Sequence, residues 1–248
     1  MIVGIHQPHY FPWIGYFDKI AKSDVFILMD EVQLENKSYM SRNRFVNRNG
    51  ELIYLSVPCI KKNYLSLPYR EIKVSYDTDW QNKHKVHLFN TFRYSPYYQE
   101  VMKEIENIFE DKVESLADIT ENSIKAVCKM LGIKTLIIKQ SSLKGFEADF
   151  ENLSDQREKE IIRLCLSQNA DKYITGRGAS LNFVNDRDFK RFGIELIEQD
   201  FEAFEYKQRF TSEFIKNISI LDCLFNIGIE ETKRLFWENV KKQKIGED

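Results

Sequence analysis

The sequence predicts an α/β fold: a mostly parallel open sheet with a helical insertion and C-terminal helices. Three observations predict it. Val25 to Met29 (VFILM) is a continuous apolar run of strand length, the pattern of a strand covered on both faces. Ile2 to Ile5, a helical stretch and that run follow one another within about thirty residues, the span of a βαβ unit. Strand-like runs then return at Lys134 to Gln140, Asp171 to Thr175 and Ile194 to Ile197, after a long helical middle.

Each element has its own local reason. Ile2 to Ile5 is a brief apolar strand. Ile14 to Ala21 reads as helix, with Ile14, Phe17 and Ile20 near one face, and Ser23-Asp24 ends it. Arg44 to Val46 and Ile53 to Val57 flank Asn47-Arg48-Asn49-Gly50, a hairpin signal. Glu71 to Ser75 reads as a further strand. Trp80 to Phe92, Tyr97 to Phe109 and Leu116 to Leu131 read as three helices, with Pro96 near the start of the second. Ser154 to Gln168 is a helix capped by Ser154 or Asp155, and Phe183 to Phe192 is another. Ser219 to Asn226 and Glu230 to Lys241 close the chain as helices.

The 248 residues allow one large domain or two small ones. With no internal repeat and no Pro/Gly/Ser-rich linker, a single domain over 1–248 is expected, with the helical insertion at about 80–131. The 36 basic and 38 acidic residues nearly cancel, so nothing in the charge calls for nucleic acid or an anionic membrane. The four cysteines (Cys59, Cys128, Cys165 and Cys223) are far apart and form no CxxC pair, which points to reduced thiols rather than zinc or a disulfide framework. No apolar run reaches the ~18 residues of a membrane span, and no basic leader opens the chain. A cytoplasmic protein is expected.

Candidate chemistry begins at the corner after the first strand, "HQPHYFPWIGY". His6 lies at the sheet edge, where open α/β sheets bind ligands. Tyr10, Phe11 and Trp13 have the shape to stack on a base or wall a pocket, and Gly15 admits a close backbone approach. The same residues would also make a stiff corner whose rings plug the core. Asp30, at the end of the second strand, is placed to orient His6 as a base, although loop acids are common. Lys37, Arg42, Arg44 and Arg48 form either a phosphate clamp or a solvated hairpin. His84 and His87, three apart on one helix, lack a third ligand, so no metal site is expected. "TGRGAS" at Thr175 to Ser180 offers Arg177 and two glycines after a strand, without matching a P-loop or a GxGxxG fingerprint.

These segments resemble the WbqC-like protein family. The likeness is carried by "HQPHYFPWIGYFDKI" (His6 to Ile20), "SYMSRNRF" (Ser38 to Phe45) and "LSVPC" (Leu55 to Cys59). It continues through "WQNKH" (Trp80 to His84), "SPYY" (Ser95 to Tyr98) and "FIKNISILDCLFNIG" (Phe214 to Gly228). It spans nearly the whole chain and departs at Lys216, where a proline is expected. The resemblance selects His6, Gln7, Pro8, Trp13, Gly15, Tyr16, Asn43, Arg44, His84 and Asp222, and favours His84 over His87. It implies a link to O-antigen and other surface polysaccharides. A fainter likeness joins the βαβ start to HIGH-type nucleotidyltransferases, with Trp13 and Tyr16 standing where those enzymes carry histidines.

The function that these readings imply together is a transferase of surface-sugar biosynthesis. It would move an acyl or aminoacyl group to the amine of a nucleotide-linked amino sugar. His6 or His84 would be the base, oriented by Asp30. Gln7, Tyr10, Trp13, Gly15, Tyr16, Arg42, Asn43, Arg44 and Arg177 would hold substrate. No bound cofactor is expected; coenzyme A or a carrier-protein thioester would be co-substrate. The protein partners this implies are an acyl carrier protein and a second copy of the chain. The alternatives are an adenylate-forming ligase or nucleotidyltransferase, and a non-catalytic scaffold.

Overall fold

The computed structural model describes residues 1–143, 150, 153, 155–178, 181 and 184–244, the last three as backbone only. Its sheet is built from β1 (Ile2–His6), β2 (Val25–Leu28), β5 (Leu136–Lys139), β6 (Lys172–Thr175) and β7 (Glu195–Glu198). Their order is β5-β2-β1-β6-β7, and each neighbouring pair is parallel. The fold is therefore α/β with a parallel open sheet. The chain builds outward from β1 through β2 to β5, then returns to place β6 on the other side of β1. Strand order thus reverses between β1 and β6, and their carboxyl ends bound a crevice.

Alternation of side chains sends the two halves of the apolar set to opposite faces. Val3, Ile5, Val25 and Ile27 pack with Ile162, Cys165, Tyr173 and Phe189, on the side of α5 (Gln156–Ser167) and α6 (Asp186–Arg191). Phe26 and Leu28 face the larger core. That core joins α1 (Ile14–Ala21), α2 (Trp80–Phe92), α3 (Tyr98–Glu110), α4 (Leu116–Leu131), α7 (Ile220–Ile227) and α8 (Ile229–Lys244). Both faces of β2 are covered, which is why its sequence is unbroken apolar.

The hairpin forms where Asn47 to Gly50 announces it. β3 (Arg42–Val46) pairs antiparallel with β4 (Leu52–Ser56). Asn47 Oδ1 accepts from the amides of Asn49 and Glu51, and Gly50 takes φ of 78°.

Two expectations need correction, and one open choice is settled. Glu71 to Ser75 is not a strand: Tyr69–Glu71 is a 3-10 turn, and Lys73 and Val74 make only isolated bridges to Ser115 and Cys59. The buried Tyr69 hydroxyl, donating to Met40 O at 2.8 Å, holds that turn instead. α5 starts at Gln156, capped by Asp155 Oδ1; the alternative cap, Ser154, lies outside the described residues. α6 starts at Asp186 with Asn185 as its cap; Phe183, its expected start, also lies outside them.

Candidate functional site

A cavity of about 430 Å³ opens at the reversal point between β1 and β6. His6 from β1, Trp13, Gly15, Tyr16 and Lys19 from the corner and α1, Gly176 to Gly178 after β6, and Gln199 and Phe201 after β7 line it. Every contributor stands at the carboxyl edge of a strand or on α1.

His6 lines this cavity from the end of β1. Its Nδ1 lies 2.9 Å from Gln7 O, and a carbonyl only accepts, so Nδ1 carries the proton and Nε2 keeps its lone pair. Burial, reinforced by the nearby Lys19 charge and opposed by the Gln7 carbonyl, pushes its pKa down to about 4. His6 is therefore a neutral base at physiological pH. Its ring meets His9 edge-on at 4.8 Å and Tyr16 at 4.9 Å. The Tyr16 hydroxyl donates to Gln7 O at 3.0 Å, which fixes the same carbonyl from the other side.

The walls are aromatic and the mouth is cationic. The Trp13 indole packs edge-on to Phe201 at 5.3 Å. It also folds over Gly15, where an added Cβ would lie 2.1 Å from the indole ring. The close approach that needs glycine is thus made by Trp13. Arg177 is exposed and pairs with Asp200 at 3.0 Å. Ala179 and Ser180 of "TGRGAS" lie outside the described residues.

α1 supplies a charged pair that the sequence reading missed. Asp18 is fully buried, paired with Lys22 at 2.9 Å and accepting from Gln199 Nε2 at 2.8 Å; burial nevertheless raises its pKa. Gln199 also donates to Gly15 O at 2.7 Å, tying the end of β7 to α1. Lys19 is buried, donates to Ile5 O at 2.8 Å, and burial lowers its pKa to about 7. Two charges flanked by Phe17 and Ile20 were the available signal. Gln199 and Phe201 carried none beyond following a parallel strand.

Other expected site residues lie elsewhere. His84 is 4% exposed, against the Tyr10 hydroxyl at 3.0 Å and edge-on to Trp80 at 5.2 Å. Tyr10 belongs to the larger core, His84 is buried against it, and neither lines the cavity. Asp30 does not orient His6: its carboxylate accepts from the Ser141 amide and hydroxyl at 2.8 and 2.5 Å, beyond β5. β2 lies between β1 and β5, and Asp30 is held on the β5 side.

The arginine hairpin is also apart from the cavity. Arg42 spends its guanidinium on Lys37 O, at 2.6 Å, and on the Tyr54 ring. Arg44 donates to Asn217 O at 2.6 Å. Asn43 donates to Tyr10 O at 3.0 Å and Phe11 O at 2.7 Å. Asn43 is a clamp on the corner, where Phe11 holds an unfavourable φ of 40°. Gln7 contributes its carbonyl and is absent from the lining.

The model of the WbqC-like protein family matches residues 7–234. The chain belongs to the WbqC-like family. It is also 29% identical over 229 residues to "Uncharacterized protein Rv1507c" of Mycobacterium tuberculosis (strain ATCC 25618 / H37Rv), covering 92% of this chain and 94% of that one. No solved structure matches the chain. The opening WbqC-like motif divides in two here: His6, Trp13, Gly15 and Tyr16 face the cavity, while Tyr10 and Phe11 anchor the corner in the core. Among the described residues, no group of three or more His, Cys, Asp or Glu is arranged to hold a metal, and no helix is long and apolar enough to cross a membrane.

Proposed function

We propose that this WbqC-like protein is a transferase that moves an acyl or aminoacyl group from a thioester to the amine of a nucleotide-linked amino sugar. The observation that carries the reading is the neutral His6, its Nε2 lone pair unprotonated, at a cavity built on the reversal point of a parallel sheet. In this reading the sugar nitrogen attacks the thioester carbonyl while Nε2 takes its proton. The C–N bond forms, the C–S bond breaks, and the departing thiolate recovers that proton from His6. The Trp13 and Phe201 rings, packed edge-on against each other, give the cavity an aromatic wall for a flat base, and Arg177 exchanges Asp200 for the diphosphate. His84, Asp30, Arg42 and Arg44 take no part, because none of them lines the cavity and each bonds to protein groups elsewhere. Coenzyme A or an acyl carrier protein supplies the thioester.

The test is product formation from a UDP-linked amino sugar and acyl-coenzyme A, read by mass spectrometry and by thiol release. His6→Gln is expected to abolish product while circular dichroism stays native; undiminished product would remove His6 from the mechanism. Product that requires ATP and releases AMP or pyrophosphate would favour an adenylate-forming ligase.

A further inference from the structure

Lys19 is a buried lysine with no paired carboxylate among the described residues. It is 3% exposed, and its Nζ donates to Ile5 O at 2.8 Å. Facing it are the Tyr173 ring at 5.6 Å, His6 from β1 and the Cys165 thiol from α5. No carboxylate among the described residues pairs with it: the adjacent Asp18 gives Oδ2 to Lys22 and Gln199, and its Oδ1 is buried with no hydrogen-bond partner. One carbonyl satisfies a single ammonium donor and leaves the charge uncompensated, which is costly away from water. Lys19 also lines the cavity, so a bound ligand can supply the missing negative charge.

We infer that the cavity holds a phosphoryl oxyanion of its ligand on Lys19, at the inner end beside β1, with Arg177 at the mouth. This rests on the cavity being the ligand site and names the group that the ligand presents there. Phosphate is favoured over a carboxylate because the Gly176-Arg177-Gly178 loop adds a guanidinium and two residues without side chains beside the same space. The site also accounts for a buried charge that the fold alone would be better without.

The experiment is calorimetric titration with UDP at about pH 8 in two buffers of different ionisation enthalpy. With its pKa pushed down to about 7, Lys19 is mostly neutral there and takes up a proton when the diphosphate arrives. His6 stays neutral, since its pKa is about 4, and Tyr173 and Cys165 keep their protons because burial raises both. Uptake approaching one proton per UDP is expected, with uridine and malonate bound at least tenfold more weakly. Lys19→Met is expected to weaken UDP binding by about tenfold to a hundredfold, to abolish the uptake, and to raise the melting temperature of the unliganded protein. UDP that does not bind the wild type, binds without proton uptake, or binds Lys19→Met undiminished would overturn the inference. Proton uptake without any acyl transfer would defeat the transferase reading alone. Transfer by a protein that shows no uptake would defeat this inference alone.

Discussion

Replacing Asn43 with alanine tests whether the cavity depends on a clamp buried behind it. Asn43 is 2% exposed, and its amide nitrogen holds Tyr10 O at 3.0 Å and Phe11 O at 2.7 Å. Its Oδ1 accepts from the Arg44 amide at 2.8 Å. Asn43→Ala therefore leaves two carbonyls and one N–H without their partner, at roughly 1 kcal/mol or slightly more each, or about 3–4 kcal/mol in all. For a chain of this size that lowers the melting temperature by about 6–16 °C. Asn43→Asp keeps the acceptor for Arg44 but sets an oxygen against two carbonyls, so it is expected to be at least as damaging as alanine. Urea unfolding followed by tryptophan fluorescence reads both. A loss under about 1 kcal/mol for alanine, or an aspartate variant as stable as wild type, would refute the clamp. Weakened ligand binding at unchanged stability would instead return Asn43 to the substrate.

Other perturbations separate the two sides of the corner. His6 and His84 are both held near a pKa of about 4, first by burial, so the unfolded chain binds more protons than the folded one below about pH 6.5. Stability is therefore expected to fall as pH drops from about 6.5 to 4, by up to ~3 kcal/mol per histidine. Urea midpoints across that range should flatten in His6→Gln and His84→Gln; a flat wild-type profile would contradict the shifts. Arg177→Ala is expected to weaken nucleotide-sugar binding about tenfold or more, whereas Arg42→Ala should leave it unchanged by calorimetry. Gly15→Ala is expected to displace the Trp13 indole, read as a shifted tryptophan emission together with lost ligand affinity.

The sheet was legible because its signals were local. β2 announced itself as an unbroken apolar run, and Asn47 to Gly50 announced the hairpin through backbone conformations that few other residues favour. The position of His6 was legible for the same reason: it ends the first parallel strand, at the carboxyl edge of the sheet where the cavity opens. The side-chain partners were not. A guanidinium in the sequence does not say which carbonyl will take it, and Arg42 and Arg44 went to Lys37 O and Asn217 O. His84 recurs in a family motif yet wedges between Tyr10 and Trp80, because a motif marks what is needed without saying whether for packing or for chemistry. Beyond the flanking Phe17 and Ile20, Lys19 carried no sequence signal, because its burial follows from α1 packing between the sheet on one side and the segment after β7 on the other.

The most direct trial of the account is a crystal structure of the chain with a UDP-linked amino sugar. The expected result is ligand density in the cavity against the Trp13 and Phe201 rings, its diphosphate within hydrogen-bonding distance of Lys19 and Arg177, and its sugar amine near His6 Nε2. Density seated on the arginine hairpin or against His84, with the space beside β1 and β6 empty, would contradict it.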